Sequence, residues 1–465
     1  MANLTATDAA TTSAIQANSF LLGLAFTELT GYEVWDSNTL TFTMNMGDDN
    51  PDGTTVGTWT TALTDAIYRA HSDIEAVANV TFTEVPDTVN GTDGADIDYW
   101  YYNTTAYLGY SYGVGGDGVF LNERYVTTAG PGSSNGLEPG GYDYITVIHE
   151  LLHNMGLSHP FDGAASFPGV NFNSANTGDF ALNQNVYTVM SYSDINQVDA
   201  NGVPTTSNNL TDATRDHGFT TMGAFDVAML QVLYGANMTT ATGNDVYVLP
   251  TVNQTGTYFS AIWDAGGTDE IRHDGSAGAI LDLRSATLDL ADGMGAGGML
   301  SRVPGIYGGF TIANGAVIEN ATGGSGNDSV TGNDFANTLR GNDGNDDLQG
   351  GAGNDSLYGG ANDDTLSGGA DDDILLGGTG GDQMSGDAGN DTVSYLYDTT
   401  GIAVRLWNNT ASGGEAEGDT ISGFENITGG SGNDTLTGDS AANVLVGNAG
   451  NDFLFAVNGN DDLQG

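Results

Sequence analysis

The amino-acid sequence predicts an α+β globular domain followed by an all-β parallel β-roll. Helix-like runs stand among strand-like stretches in the first 236 residues, and a nine-residue repeat fills most of the chain after residue 323. A length of 465 residues is also too great for one ordinary core, since domains of ~100 to 200 residues are usual. We therefore expect three regions, at residues 1–236, 237–322 and 323–465.

The first region has the only helix-like runs. Thr60 to Val77 and Tyr144 to Met155 have helical spacing, whereas Leu40 to Met46 alternates apolar and polar residues as a strand does. The second region contains β-rich stretches such as LDLRSATLDL, and no Pro/Ser-rich linker separates it from its neighbours. The second region is therefore expected to be a packed junction.

The nine-residue repeat keeps a strict phase. Eight units run from Gly323 to Ser394, and a second block runs from Gly429 to Gly465. The eighth position is apolar throughout the first block, which predicts one inward-facing residue for each short strand. Residues 395–428 lose the period, and we expect strands there that interrupt or cover the roll.

The sixth position of the repeat is usually an aspartate, which suits calcium. Calcium takes ~6 to 8 oxygen ligands, so carbonyls of a glycine turn and aspartates from two stacked turns can enclose it. The nonapeptides resemble RTX repeats, and an ion between units n and n+2 would allow at most six sites in the first block of eight units. Asn337 and Asn443 replace aspartates and should weaken their sites. The candidate ligands are Asp328, Asp346, Asp355, Asp364, Asp373, Asp382, Asp391, Asp434, Asp452 and Asp461.

A disordered acidic linker is the alternative interpretation of this region. The strict phase of the apolar position argues against it when calcium is bound. Without calcium, disorder becomes the expected state, because stacked carboxylates repel one another and each repeat buries little apolar surface.

Charge and composition exclude several classes of protein. Sixty acidic residues stand against eight basic ones, and the net charge of -52 excludes an electrostatic nucleic-acid binder and favours metal cations as partners. The absence of cysteine excludes disulfides, thiol catalysis and cysteine-ligated zinc. The apolar stretch from Phe20 to Phe26 is shorter than the ~20 residues of a membrane span and follows no basic region. We expect no membrane span and no Sec-type signal.

One segment has the pattern H-E-x-x-H-x-x-G-x-x-H. His149 and His153 are four residues apart, so on a helix they share a face and can bind one metal ion, with Glu150 beside its open side. Gly156 can end the helix in a left-handed conformation, and His159 can then supply a third nitrogen. Zinc bound in this way lowers the pKa of its water toward ~7, and Glu150 can accept the proton.

A second segment, VYTVMSY at 186–192, resembles the Met-turn of metzincins, with Met190 as its methionine. Together with the zinc pattern and the repeats, it makes the whole chain similar to a serralysin, in which a metzincin-type catalytic domain precedes an RTX β-roll. The resemblance implies that Tyr192 is a labile fifth zinc ligand that hydrogen-bonds the tetrahedral intermediate. A buried structural tyrosine is the alternative.

The resemblance also implies calcium binding at the junction. Ala241 and Val317 replace a usual arginine and threonine, which costs little if they contribute only carbonyls. Three further histidines, His71, His217 and His273, lack ligand spacing and are expected to be structural or on the surface. The implied junction ligands are Ala241, Gly243, Asp245, Asp264, Gly266, Gly267, Asp269 and Glu319.

By the same resemblance, the chain is expected to be a secreted, monomeric zinc endopeptidase that acts on proteins or peptides. Type I export and a short N-terminal propeptide are implied. The usual C-terminal export signal is not visible, and the stop at Gly465 within a repeat indicates truncation or processing. The competing hypothesis is a calcium-dependent surface or matrix protein with a degenerate protease domain. The intact zinc ligands count against it.

Overall fold

A computed structural model describes fourteen stretches of the chain. Tyr192 and His217 lie outside them. The described residues are 4–6, 27–28, 31–35, 37–44, 59–86, 95–102, 109–111, 118–122, 136–139, 141–160, 187–191, 195–198, 204–206 and 221–465.

The first region combines helices with a mixed sheet. Its helices are α1 (Thr61–Val77), α2 (Tyr142–Asn154) and α3 (Ala224–Tyr234). Its strands are β1 (Leu4–Ala6), β2 (Thr27–Glu28), β3 (Gly31–Trp35), β4 (Thr39–Met44), β5 (Thr81–Glu84), β6 (Ile97–Tyr102), β7 (Gly109–Ser111), β8 (Val119–Asn122), β9 (Ile195–Val198) and β10 (Pro204–Thr206). Strands β4 to β8 form a five-stranded sheet in the order β5-β4-β6-β8-β7, in which only the β7–β8 pair is antiparallel.

Helix α1 begins and ends where its sequence predicts. Thr60 precedes the first turn, and its hydroxyl accepts a hydrogen bond from the Leu63 N–H at 3.3 Å, which satisfies a free donor of that turn. Buried residues recur every three or four positions and form one apolar face. His71 on this face stacks on Phe82 and lies 2.8 Å from the Tyr99 hydroxyl. Burial lowers the pKa of His71 to about 3, which fits the structural role expected for it.

Asp73 joins α1 to α2. Its carboxylate accepts a hydrogen bond from the Tyr144 hydroxyl at 2.5 Å, and burial raises its pKa to about 6 although Tyr144 and Arg69 act in the opposite direction. The folded-state pKa thus exceeds the unfolded value of ~3.9, so the stabilisation it provides is complete below about pH 4 and is lost as the pH rises through about 6.

Asp73→Asn should therefore raise the free energy of unfolding at neutral pH. The difference in the free energy of unfolding between Asp73→Asn and wild type should be about 2 kcal/mol larger at about pH 7.5 than at about pH 4. This value allows for the partial exposure of the carboxylate. Urea unfolding of the calcium-loaded chain at both pH values measures it, with exposed Asp65→Asn on the same helix as the control. The same difference in unfolding free energy between variant and wild type at both pH values would contradict the raised pKa of Asp73.

The rest of the chain is almost entirely β-structure. Its strands are β11 (Val246–Val248), β12 (Phe259–Ile262), β13 (Glu270–Arg272), β14 (Ile280–Asp282), β15 (Ser301–Arg302), β16 (Gly309–Ile312), β17 (Asn320–Thr322), β18 (Ser329–Thr331), β19 (Thr338–Asp343), β20 (Asp347–Ala352), β21 (Ser356–Ala361), β22 (Thr365–Ala370), β23 (Ile374–Thr379), β24 (Gln383–Ala388), β25 (Thr392–Ser394), β26 (Ala403–Arg405), β27 (Thr410–Ser412), β28 (Thr420–Ser422), β29 (Asn426–Thr428), β30 (Thr435–Thr437), β31 (Val444–Val446), β32 (Phe453–Phe455) and β33 (Asp462–Gln464). Short 3-10 segments cover Leu290–Gly297, Leu406–Asn408 and Gly414–Ala416.

Successive repeats alternate between two sheets and form the predicted β-roll. Each repeat pairs in parallel with the repeat two places along, so Leu339 lies opposite Leu357 in one sheet and Leu348 opposite Leu366 in the other. The sheets have ten and thirteen strands. All apolar residues at the eighth position of the first block are at most 2% exposed, and they form one continuous core.

Both sheets continue through the regions on either side of the first block. Strands β11, β13 and β17 of the junction pair in parallel with one another and then with β19, so the sheet crosses residue 323 without a break. In residues 395–428, β28 and β29 pair in parallel with β24 and β25 of the last repeats. The short segment Gly414–Ala416 packs against β23. The non-repeat segment therefore extends the roll and also covers part of it.

The junction packs against the first region, as the missing linker predicts. Phe259, Ala296 and Ala313 belong to the same buried cluster as the apolar residues of the three helices. Backbone hydrogen bonds join Thr221 to Phe259 and Ala261 to Met222. None of the helices described here has both the length and the apolar character needed to cross a membrane.

Candidate functional site

Helix α2 and the turn after it bring three histidines together. His149 and His153 lie one turn apart on the buried helix. The helix ends at Asn154, and Gly156 has a φ of 102°, in the left-handed region that glycine adopts readily. The chain then turns back so that the Leu157 N–H donates to the Leu152 carbonyl and His159 faces the helix.

The three rings converge through the same ring nitrogen. The Nε2 atom of His159 lies 3.2 Å from Nε2 of His149 and 3.2 Å from Nε2 of His153. Two nitrogens bound at ~2.05 Å to one tetrahedral zinc ion would be about 3.3 Å apart. The spacing therefore fits a zinc ion.

Backbone carbonyls determine which nitrogens face this point. The Nδ1–H of His149 donates to the Val189 carbonyl at 2.9 Å, and the Nδ1–H of His153 donates to the Leu157 carbonyl at 2.7 Å. A neutral imidazole with its proton on Nδ1 has a free lone pair on Nε2. Two lone pairs are thus directed at one place, and such an arrangement suits a shared cation because it is repulsive without one.

Burial shifts the pKa values of two side chains at this site, so a bound cation would change their protonation. The pKa of His153 lies well below its ordinary value, first because of burial and then because of the nearby rings of His149 and His159. Burial raises the pKa of Glu150 to about 8 in the metal-free protein. A divalent cation would favour the ionised carboxylate and lower that pKa. Glu150 follows His149 directly on α2 and is only 8% exposed.

A buried aspartate holds the turn that contacts His149. The two oxygens of Asp226, on α3, accept hydrogen bonds from the Thr188 hydroxyl at 2.6 Å, the Val189 N–H at 2.7 Å and the Gly223 N–H at 2.9 Å. The Val189 carbonyl in turn accepts the hydrogen bond from the Nδ1–H of His149. Asp226 lies outside the sequence motifs, although an acid at the third residue of a helix commonly bonds back to the residue before that helix.

Met190 belongs to the segment that resembles the Met-turn. It is wholly buried in the turn 187–191, and its N–H donates to the Thr188 hydroxyl. Tyr192, the predicted fifth ligand, lies outside the described residues.

The predicted calcium residues of the junction also come together. Oxygen atoms of Asp245, Asp264 and Asp269 lie within 4.8 Å of one another, and Glu319 accepts the Asp269 N–H at 2.8 Å. Burial, together with the charges of Asp264 and Glu319, raises the pKa of Asp269 to about 6. One oxygen of Asp269 is buried without a hydrogen-bond partner. This donor set fits calcium, which binds carboxylates and carbonyls.

Glycines allow the junction loops to approach one another. A Cβ at Gly267, whose φ is 153°, would lie 1.7 Å from the Gly243 carbonyl oxygen, so no other residue fits without a shift of the backbone. Gly266 and Ala241 have φ values of 140° and 47°. The Ala241 carbonyl accepts the Ala265 N–H at 3.2 Å.

In the roll, the sixth-position aspartates form a ladder on each side. The Asp346 N–H donates to Oδ1 of Asp364, and the Asp364 N–H donates to Oδ1 of Asp382. On the other side, Asp355 donates to Asp373 in the same way. Each carboxylate therefore uses one oxygen to bind the backbone of the repeat two places before it.

The second side-chain oxygen of the sixth residue divides all but the last two repeats into two classes. In the last two repeats, Oδ1 of Asp452 and of Asp461 accepts the N–H of Asp434 and of Asn443. In the open turns, Oδ2 is buried and has no hydrogen-bond partner, and the second residue of the repeat has a positive φ. In the closed turns, the corresponding oxygen accepts the N–H of that second residue, as between Gly324 and Asp328. The open turns contain Asp346, Asp355, Asp364, Asp373, Asp382 and Asp391. The closed turns contain Asp328, Asn337, Asp434 and Asn443.

An open turn gathers oxygens from repeats n and n+2. A Cβ at Gly359 would lie 2.4 Å from Oδ2 of Asp364 and 2.5 Å from the Gly377 carbonyl oxygen, so both oxygens face the same point. In the closed turn of Asn337, the side-chain oxygen accepts the Asn333 N–H, and Nδ2 donates to the Glu319 carbonyl at 3.1 Å, where the aspartates have their ladder oxygen. This contact supports the expectation that the asparagines weaken their sites.

Two ladder residues in the non-repeat segment escaped the sequence analysis. Asp419 accepts the Asp382 N–H, and Glu425 accepts the Asp391 N–H, each at 2.9 Å. Both precede a buried isoleucine by two positions, Ile421 and Ile427, which is the spacing of aspartate and apolar residue within the repeat. That short pattern could have identified them.

Comparisons with known proteins agree with this architecture. Residues 226–403 match the family described as Peptidase M10 serralysin C terminal, and residues 428–463 match the RTX calcium-binding nonapeptide repeat. The chain is 31% identical over 288 residues to serralysin of Proteus mirabilis, covering 55% of this chain and 50% of the relative. It is 35% identical over 268 residues to serralysin C of Dickeya chrysanthemi, covering 54% and 49%. The chain spans about half the length of the curated relatives it matches, and its predicted resemblance to serralysins with RTX repeats is confirmed.

Proposed function

We propose that the chain is a secreted zinc-dependent endopeptidase with a metzincin-type catalytic domain, stabilised by calcium in its β-roll. The observation that carries the proposal is the convergence of three Nε2 atoms, two of them on rings whose Nδ1–H groups are bonded to carbonyls. The similarity to serralysins supports it. Cleavage of a denatured protein that stops when zinc is removed, with calcium kept in excess, tests it.

Each residue of the site has a proposed role. His149, His153 and His159 hold zinc, which when bound supplies a Lewis acid that lowers the pKa of water toward ~7 and polarises a carbonyl. Glu150 accepts a proton from the attacking water and then delivers it to the departing amine. We propose Tyr192 as the group that hydrogen-bonds the tetrahedral intermediate.

Asp226 is proposed to act on the zinc site through Val189. Asp226→Asn should weaken zinc binding about 10- to 100-fold, because the amide keeps only one acceptor oxygen for the Thr188 hydroxyl and the two backbone N–H groups, so the turn that holds the partner of His149 is held less firmly. Competition with a fluorescent zinc chelator measures the affinity without any assay of activity. Exposed Asp292→Asn is the control. Unchanged zinc affinity in a folded Asp226→Asn protein would reject this role.

Calcium is proposed to bind the six open turns and the junction cluster, whereas the closed turns remain without an ion. The unpartnered oxygens of the open turns support this division, because a buried carboxylate without a partner is costly.

Export by a type I system fits calcium-dependent folding outside the cell, and we propose it, together with a monomeric state and protein or peptide substrates. A calcium-dependent matrix protein with an inactive first domain would neither bind one zinc ion per chain nor cleave a denatured protein.

A further inference from the structure

The outer face of the ten-stranded sheet carries a cavity beside the open turns, and the backbone of Gly359, Gly360, Gly377 and Gly378 in those turns forms part of its lining. It has a volume of about 270 Å³ and lies where β19, β21 and β23 meet the non-repeat segment. This volume is close to the lower end of the ~300 to 1,000 Å³ usual for small-molecule sites. Its lining includes Arg340, Tyr358, Leu376, Ser394, Tyr397 and Glu415.

Register places the first three of these side chains in one column. Arg340 lies opposite Tyr358, and Tyr358 lies opposite Leu376, on strands that pair in parallel. The Arg340 guanidinium lies 4.0 Å from the centroid of the Tyr358 ring. Stacking of this kind holds the guanidinium by its face and leaves its N–H edge available to a ligand.

Arg340 differs in its ion pairing from two arginines of the junction. Arg272 and Arg284 form ion pairs with Asp274 and Asp282. Among the described residues, Arg340 has no ion-pair partner within 4 Å although the chain has 60 acidic residues. Its donors are therefore free for a bound molecule.

Aromatic surface and polar groups are combined on the other walls. Tyr397 is 66% exposed, whereas Leu376 is only 8% exposed beneath the segment that covers β23. Glu415, half-buried on Gly414–Ala416, adds a carboxylate, and Ser394 adds a hydroxyl. The cavity thus has aromatic faces, a group that only donates hydrogen bonds and a group that only accepts them.

A polyhydroxylated ring matches this combination. Guanidinium groups only donate and carboxylates only accept, whereas a hydroxyl does both, so neighbouring hydroxyls of one ring can satisfy Arg340 and Glu415 together. The C–H face of such a ring packs on tyrosine. A net charge of -52 repels anionic ligands, and Arg340 in the cavity wall repels cationic ones, so the ligand is neutral. We propose that this cavity binds a neutral saccharide, independently of any peptidase activity.

Calorimetry on the calcium-loaded full chain tests the proposal. The probes are maltose, cellobiose, lactose and diacetylchitobiose, with a short peptide ending in a free carboxylate as the competing class. At least one disaccharide should bind the wild type with a Kd at or below about 1 mM, and Tyr397→Ala and Arg340→Gln should each weaken it about tenfold or more. Tyr397 is largely exposed, so its replacement should leave the fold intact.

Trp407→Ala is the matched control, because this tryptophan is 60% exposed and does not line the cavity. It should bind the disaccharide as the wild type does. Absence of binding by all four disaccharides, equal affinity in Tyr397→Ala, or binding of the peptide alone through Arg340 would each overturn the proposal.

Discussion

Glu150→Ala should hydrolyse a denatured protein at least about 100-fold more slowly than the wild type, because a positioned general base contributes ~10² to 10⁴ to such rates. Glu150 lies beside His149 on α2 and is almost completely buried, so bulk water is a poor substitute for it. The Nδ1–H groups of His149 and His153 are bonded to backbone carbonyls and not to Glu150. The loss should therefore appear in kcat while zinc content stays at the wild-type value.

Two further variants make this experiment decisive. Glu150→Gln keeps the shape of the side chain and removes the base, so it should be as inactive as the alanine variant. Glu138→Gln removes a partly exposed carboxylate that pairs with Arg69, and it should keep full activity. Equal zinc-dependent rates in wild type and Glu150→Ala would reject the role of Glu150 as a base. If Glu150→Ala lost zinc and activity together, Glu150 would instead be needed for the fold of the site.

Removal of calcium should abolish most of the strand structure of the roll. Its buried carboxylates would then repel one another, and one apolar residue per repeat cannot offset the entropy of the chain. Burial already raises the pKa of Asp355 and of Asp364 to about 7 in the ion-free protein. Circular dichroism of the full chain during calcium titration should show a large, saturable gain of strand content, and constant strand content would contradict the prediction.

A matched pair of variants tests which turns bind calcium. Asp364 belongs to an open turn and has an unpartnered oxygen, whereas the corresponding oxygen of Asp328 accepts the Gly324 N–H. Asp364→Asn should therefore reduce the calcium bound per chain and shift the titration midpoint to higher calcium. Asp328→Asn should leave the calcium content unchanged. Equal calcium loss in both variants would show that closed turns also bind the ion.

The spacing of the histidine motif was sufficient to predict the local structure of the site. His149 and His153 are four positions apart and so need a helix to share a face, and Gly156 allows the turn that returns His159. Asp226 and the Val189 carbonyl could not be predicted in this way. Their contacts with the turn and with His149 join residues about 40 positions apart, and no local periodicity reports such a contact.

The sequence of the repeats also predicts only part of their structure. Their phase predicted the buried core and the aspartate ladders, but the residue type does not separate open from closed turns. Asn333 lies in a closed turn, whereas Asn342 has a φ of 75° in an open one. The closed turns are the first two of each block, so the chain two places before each of them is not a nonapeptide repeat. The class of a turn is therefore related to its neighbour in the assembled roll and not to its residue type alone.

X-ray absorption at the zinc edge, on the full calcium-loaded chain with one equivalent of zinc, tests the central claim most directly. We predict three imidazole nitrogens at ~2.0 to 2.1 Å, and the loss of one of them in His159→Ala. A first shell with fewer than three imidazoles in the wild type, or an unchanged shell in His159→Ala, would contradict the proposed zinc site.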